Sequence, residues 1–479
     1  MRCRFCATSV LGAAHCSDRK GAPLTRWVTE ASPLCSTGKR AYLCNMHTPF
    51  GPIALAFSGG LDTSYCVPRL ADAGWEVHTV HVDTGGSSSA DLAGIRAQAE
   101  RVGAVRHHEV DARAEVYDRF VRFLIQGNVL RGEVYPLSVA AERTQQALSV
   151  VETARRIGAR AVAHGSTGAG NDQVRFDVAL RVLASDLEIV TPIREEGIKR
   201  DQAIAFLTAR GLPVPAKAGA YSINRGLWGT TWGGGWTHDT WAGPPDELLE
   251  PRVAAPAPRE IVIQWERGLA VALDGEALGG PALIQRLGEI ADSYAIGRNI
   301  HVGETALGIK GRIGFEAGAA LLLIGAHREL EKLVLTKWQA FWKDQLARFY
   351  GDRLHEGQYF DPSLRDIEAL ITSSQARVTG ETRVRLAAGR FNVVGTRSPH
   401  SMMDSSVATY GEENRLWTGD EARAFARVAA VPSLLAARAA NGVPQKLQHE
   451  GTKDTKDTKN AKNKKKNKKN VSGKKISAT

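Results

Sequence analysis

The sequence predicts an α/β protein: a parallel-sheet domain, then an α+β domain and a C-terminal helical arm. Three observations predict it. Short apolar runs alternate with helical patterns from residue 50 to about 211, the pattern of a parallel sheet covered by helices on both faces. Two of those runs end in glycine-rich turns that open polar helix starts. After Pro213-Val214-Pro215 the pattern changes to paired β-like runs and longer helices.

The first run, Ile53 to Phe57, reads as a buried parallel strand because it is apolar throughout. It leads into Ser58-Gly59-Gly60-Leu61-Asp62-Thr63-Ser64. Gly59 and Gly60 permit positive φ and close approach of a ligand to the backbone. Asp62, Thr63 and Ser64 are expected to cap the following helix. A helix N-terminus behind a glycine turn favours phosphate, through its free N–H groups and its dipole. The spacing lacks the Gly-Lys-Ser/Thr ending of the Walker loop.

Glu76 to Val82 alternates and ends at Asp83-Thr84-Gly85-Gly86, a second strand. A helix is expected over 90–102, a strand over Val105 to Val110, and helices near 113–126 and 139–157. A strand at 160–164 leads into the second motif, His164-Gly-Ser-Thr-Gly-Ala-Gly-Asn-Asp-Gln-Val-Arg-Phe-Asp177, with Asn171 and Asp172 as cap candidates. Leu187 to Val190 reads as a strand, and 199–210 as a helix ending at Gly211. Ligands of such sheets sit at the carboxyl ends of the strands, so both motifs are expected to face one cleft.

Beyond residue 215, Trp228, Trp232, Trp236 and Trp241 are expected to pack under a long loop, with stacking on a ligand the other reading. Two β-like runs flank Glu266-Arg267-Gly268; helices follow at 281–294 and 316–350, a β-like segment at 377–395 and a last helix at 419–440.

Composition narrows the class. The net charge of +11 is concentrated at the ends: residues 451–479 carry +9 and residues 1–45 carry +5, so the body between them is −3. A basic nucleic-acid surface therefore cannot be argued from net charge. The Lys/Asn-rich tail has the composition of a solvated extension; weak RNA contact or a localisation signal is the other reading. No apolar stretch reaches the roughly 18 residues that span a bilayer. Five of six cysteines precede residue 45, where Cys3 and Cys6 have zinc-ligand spacing but no matched second pair. Met46 is the expected start of the functional chain, and Cys66, the body's single cysteine, suits a reducing cytoplasm. The expected division is 1–45 extension, 46–215 parallel-sheet domain, 216–410 α+β domain, 411–450 helical arm and 451–479 tail.

The segment Ala56 to Ser64 resembles the loop with which ATP pyrophosphatases grip the β and γ phosphates. The run at 164–177 resembles the HGATGKGNDQVRF region of the argininosuccinate synthase family, and the likeness extends over roughly residues 50 to 440. It implies an adenine nucleotide α-hydrolase-like first domain, ATP with Mg²⁺, and ligation of citrulline to aspartate through a citrullyl-adenylate. It implies ATP binding for 46–215, and substrate binding and oligomerisation for 216–410. It also implies a cytoplasmic homotetramer whose C-terminal arm wraps a neighbour. By the resemblance, Ala56, Phe57, Ser58, Gly59, Gly60, Leu61, Asp62, Thr63, Ser64, Val82 and Gly165 hold ATP. Within that set Ser58, Gly59 and Gly60 donate to pyrophosphate, and Asp62 helps hold magnesium. Thr167, Asn171 and Asp172 match the aspartate site. Tyr135, Asn171, Arg175, Ser222, Thr231, Glu304 and Phe315 match citrulline contacts. Asp62, Asp172 and Arg175 carry the electrostatic and positioning work.

The run Tyr135-Pro-Leu-Ser-Val-Ala-Ala-Glu-Arg143 departs from the family's Tyr-Leu-Leu-Gly-Thr-Ser-Ile-Ala-Arg. Ala140 replaces a serine, Phe315 replaces a tyrosine, and Ser138 lies two residues away. A ligase adenylating another ureido or amide substrate is the first alternative, and an RNA-modifying or RNA-binding relative the second.

Overall fold

The computed structural model describes residues 50–215, 222–245, 253–254, 257–412 and 414–441. The cysteines before residue 45, Met46, Tyr221 and the lysine tail lie outside them. The first sheet comprises β1 (Gly51–Ala56), β2 (Trp75–Asp83), β3 (Arg106–Asp111), β4 (Ala161–Ala163) and β5 (Glu188–Val190), in the order β3-β2-β1-β4-β5. Every pair is parallel. Ile53, Ala54 and Leu55 of β1 are fully buried, as a central strand covered on both faces requires. Tyr65, Leu70 and Leu207 pack on one side, and Val150, Ala154 and Leu180 on the other.

The chain steps outward from β1 through β2 to β3, then returns to place β4 on the opposite flank of β1. The strand order thus reverses between β1 and β4, where Ile53 pairs with Ala161 and Leu55 with Ala163. Both glycine motifs follow these two neighbouring strands, so the topology brings them to one crevice.

The following region contains β6 (Ser222–Gly226), β7 (Gly229–Gly233), β8 (Arg259–Glu266), β9 (Leu269–Leu273), β10 (Glu276–Ala277), β11 (Arg298–Glu304), β12 (Lys310–Glu316), β13 (Gly380–Ala387) and β14 (Arg390–Arg397). They form two antiparallel sheets, β11-β12-β7-β6 and β10-β9-β8-β13-β14. Leu287, Leu323, Leu330, Tyr350 and Ile371 from the helices of this region join Ile263 and Leu386 in one core.

Several local expectations change. The helix expected over 316–350 is two helices, Gly318–Val334 and Lys337–His355. Thr336 caps the second in a reciprocal box with Gln339, which starts a new helix where the sequence alone suggested continuation. The helix near 113–126 contains a wide turn at Tyr117–Val121. The last helix is also two, Gly419–Ala429 and Val431–Ala440, with Pro432 in the first turn of the second. The hairpins β6–β7 and β11–β12 and the helix Pro362–Ser374 were not expected; the hairpins are glycine-rich and lack a period-two apolar signal. Trp228, Trp232 and Trp236 are buried as packing residues, whereas Trp241 is almost fully exposed.

Residues from Pro399 onward form a separate unit. Neither of its helices buries a residue, and Phe425, Val428, Leu434 and Leu435 are exposed.

Candidate active site

At the end of β1 the backbone turns through Gly59, whose φ is +73° and whose absent side chain would meet Ile95 at 3.1 Å. The Ser58 hydroxyl accepts from the Gly60 N–H at 3.3 Å, and the Thr63 hydroxyl donates to the Gly60 carbonyl at 3.2 Å. The helix Leu61–Asp72 is capped by Gly60 without a side-chain hydrogen bond, so Asp62, Thr63 and Ser64 lie inside it rather than capping it. Glycine capping leaves first-turn N–H groups for an anion. Asp62 is half-buried, and burial raises its carboxyl pKa although Arg200 opposes the shift.

The second motif repeats this design. The helix Asn171–Leu183 is capped by Gly170, again with no side-chain hydrogen bond, so Asn171 and Asp172 open the helix and do not cap it. At the preceding turn, a Cβ on Gly165 would lie 3.2 Å from Thr63 Cγ2 and 3.3 Å from the Asp62 carbonyl carbon and the Thr63 nitrogen. The two loops therefore touch through their backbones. Gly165→Val is expected to displace the first loop and raise the KM for ATP at least about tenfold, since misplacement of a positioning group is costly; steady-state ATP titration checks this. Ala56, Phe57 and Val82 lie at the carboxyl ends of the adjacent strands, where the Phe57 N–H donates to the Val80 carbonyl.

Asp172 holds two arginines. Arg143 donates to it at 3.0 Å and Arg175 at 3.2 Å. Burial opposes ionisation of Asp172, but the two guanidinium charges and their hydrogen bonds outweigh it and hold the carboxyl below its usual range. Arg143 also donates to Asn224 on β6 at 2.6 Å. Asn171 accepts from the Ala306 N–H at 2.8 Å, in the turn between β11 and β12. The first turn of this helix thus engages the β11–β12 turn directly and β6 through Arg143. Thr167 is exposed in the loop. His164 pairs with Asp177 at 2.9 Å, and Arg194 donates to the same carboxylate at 3.0 Å.

The remaining residues matched to citrulline divide by exposure. Tyr135 is buried, stacked on His301 with ring centres 5.4 Å apart and packed against Phe315 at 5.2 Å. Burial pushes its hydroxyl up to about 12. Phe315 is fully buried and lies opposite Thr231 across β12–β7. Ser222 is exposed at the start of β6. Glu304 is exposed and paired with Lys310 at 2.8 Å. Ala140 is buried at the start of the helix Ala140–Arg156, and the Ser138 hydroxyl is buried without a partner. Arg175 is only 4% exposed. Three of its five N–H donors go to Asp172 and His355, leaving one on each terminal nitrogen for a ligand.

Sequence reasoning missed Glu142 and His355. Glu142 is buried beneath Gly226 and accepts from Thr84 at 3.1 Å, joining the loop after β2 to β6. Burial raises its carboxyl to about 8, although Arg143 and the Thr84 hydrogen bond oppose the shift. A folded-state value above the unfolded 4.5 means that folding takes up a proton between these values. Glu142's contribution to stability is therefore complete below about pH 4.5 and is lost as pH rises toward 8. Glu142→Gln is expected to melt progressively above wild type as pH rises from 5 to 8.5, a trend thermal melts across that range would reveal.

A parallel sheet with an anion-ready glycine loop on each side of its switch point defines a nucleotide-binding protein of the HUP type, here joined to an antiparallel domain that meets the second loop. The family model described as the arginosuccinate synthase N-terminal HUP domain matches residues 52–213, and the C-terminal domain model of the same family matches 221–436. The chain belongs to the argininosuccinate synthase family. It is 40% identical over 395 residues to the argininosuccinate synthase of Xanthomonas campestris, covering 81% of this chain and 98% of that one. It is 38% identical over 361 residues to that of Dictyoglomus turgidum, covering 75% and 90%. It is 36% identical over 363 residues to that of Methanocaldococcus jannaschii, covering 75% and 91%.

Proposed function

We propose that the chain ligates citrulline to aspartate with ATP, giving argininosuccinate, AMP and pyrophosphate in arginine biosynthesis. The observation that carries this reading is the contact between the two glycine loops at the β1–β4 crevice, with the Asp172–Arg143–Arg175 cluster directly after the second loop.

The citrulline ureido oxygen attacks the α-phosphorus of ATP and pyrophosphate leaves. The aspartate amine then attacks the ureido carbon, and AMP leaves with the former ureido oxygen. Such transfers depend on positioning and charge stabilisation, which suits a site of backbone donors and arginines. The open N–H groups after Gly60 hold the departing pyrophosphate. Asp172 is a weak base because its ionised form is so well held; it orients the aspartate amine by accepting a hydrogen bond and does not take its proton. The family resemblance assigns Thr167 and Asn171 to the aspartate site with it. The family resemblance assigns Asn171, Arg175, Tyr135, Ser222, Thr231, Glu304 and Phe315 to citrulline contacts, of which Tyr135 and Phe315 lie in the core here.

Among the described residues no cluster of three or more His, Cys, Asp or Glu side chains could hold a metal. Asp62, a half-buried carboxylate at the first loop, fits a magnesium ion held otherwise by phosphate oxygens and water. Magnesium bound there neutralises charge on the phosphates.

The exposed apolar residues of the Gly419–Ala429 and Val431–Ala440 helices support a homotetramer in which this arm is covered by a neighbour. No described helix is long and apolar enough to cross a membrane, and a cytoplasmic setting accords with the single described cysteine, Cys66, being free.

The test is product formation by the purified full chain with Mg-ATP, citrulline and aspartate, omitting each in turn. Argininosuccinate is expected only with all three. ATP binding without citrulline-dependent turnover would favour the ligase reading with another ureido or amide substrate.

A further inference from the structure

The helix Lys337–His355 ends against the start of the helix Asn171–Leu183. A Cβ on Gly357, whose φ is +77°, would lie 2.9 Å from Arg175 Cα, so the turn after the helix abuts the Arg175 backbone. At this junction Arg175 Nε donates to the His355 carbonyl at 2.9 Å, and its terminal nitrogen lies 3.2 Å from His355 Nδ1. A guanidinium at a helix C-terminus also meets the negative end of the dipole.

The His355 ring is shared. Its Nε2 lies 3.0 Å from a terminal nitrogen of Arg131, which itself donates to Asp352 and to the Glu304 carbonyl. A neutral imidazole accepts at one nitrogen only. Arg131 has Asp352 and the Glu304 carbonyl as other acceptors, so the acceptor nitrogen of the ring is assigned to Nδ1, facing Arg175. Arg131 then holds its place through Asp352 and Glu304. Burial, with the charges of Arg175 and Arg131, lowers His355 to about 3, so the acceptor persists at neutral pH.

We propose that His355 is a positioning residue for the ligation: its Nδ1 and backbone carbonyl fix the Arg175 guanidinium between Asp172 and the citrulline site. The role in turnover rests on the function proposed above. His355 touches no substrate. Its effect passes through Arg175, which keeps only two N–H groups for a ligand and loses their direction if its other donors are released.

The experiment compares His355→Leu with His355→Asn in the full chain. Asparagine keeps an acceptor near the position of Nδ1, and leucine keeps volume only. The leucine variant is expected to raise the KM for citrulline at least tenfold with the KM for ATP within twofold. Asparagine is expected to recover most of the loss. In an Arg175→Lys background, the leucine change is expected to add little. Equal effects of leucine and asparagine, parallel changes in all three KM values, or full additivity with Arg175→Lys would overturn the proposal. Melting temperatures of both variants separate a folding defect from a positioning one. An inactive wild-type chain would defeat the function reading alone. The His355 assignment would then be decided by a crystal structure of the leucine variant, which overturns it if the Arg175 guanidinium has not moved.

Discussion

Asp172→Ala lowers turnover at least about 100-fold while leaving the KM for ATP within about threefold, the scale expected when one preorganised electrostatic group is removed. Asp172 separates two arginines that reach it from different places, Arg143 from the helix Ala140–Arg156 and Arg175 from its own helix. Without the carboxylate the two cations face each other, and Arg143 also loses one anchor of its link to Asn224 on β6. The ATP loop lies upstream and keeps its own hydrogen bonds, so nucleotide affinity is largely spared. Asp172→Asn keeps the shape and one acceptor but not the charge, and is expected to fall between wild type and alanine. Steady-state kinetics with each substrate varied separates these effects. A proportional rise in the KM for ATP would show that the loss spreads beyond the proposed aspartate and citrulline sites.

Glu331→Met destabilises the fold by about 3–5 kcal/mol, because it strips the buried partner from a buried cation and leaves it only the exposed Asp344 carboxylate at 3.2 Å. Lys343 is fully buried, with Nζ 2.7 Å from Glu331 and 3.3 Å from the Gln126 carbonyl. Glu331 also accepts from Asn128 at 2.5 Å and Gln375 at 2.6 Å, and His327 bridges those two amides at 2.7 and 2.9 Å. Such a network is costly to break halfway. Glu331→Met combined with Lys343→Met is expected to recover part of the loss, since it avoids the stranded cation but still leaves the Asn128 and Gln375 amides without their acceptor. Burial raises the Glu331 carboxyl, but His327 and Lys343 outweigh it and the net shift is downward from 4.5. Its contribution is thus complete above pH 4.5 and fades as pH falls through the lower folded value. Urea denaturation of the single and double variants at pH 7 and below pH 4 measures both the coupling and its pH window.

The nucleotide-binding half was largely legible in the sequence. Its central strands β1 and β4 are apolar runs buried on both faces, and its phosphate loop is a local motif of strand, glycine turn and helix. What stayed hidden is non-local. Glu142 reads as an ordinary helical residue, and only the fold places it under Gly226 beside Thr84. His355 lies 180 positions from Arg175 and belongs to no motif. The break at Leu335-Thr336 depends on a capping box within an otherwise continuous helical pattern. The hairpins β6–β7 and β11–β12 are glycine-rich where they pack closely: a Cβ on Gly314 would lie 2.7 Å from Trp232. That requirement suppresses the alternating apolar signal by which strands are recognised.

The central claim is that the ureido oxygen is the nucleophile toward ATP. Citrulline labelled with ¹⁸O in the ureido group, turned over by the full chain with ATP and aspartate, tests it directly by mass spectrometry of the AMP formed. One ¹⁸O in the phosphate of each AMP is the expected result. AMP without label, formed alongside argininosuccinate, would contradict the adenylate route and the roles assigned to the site.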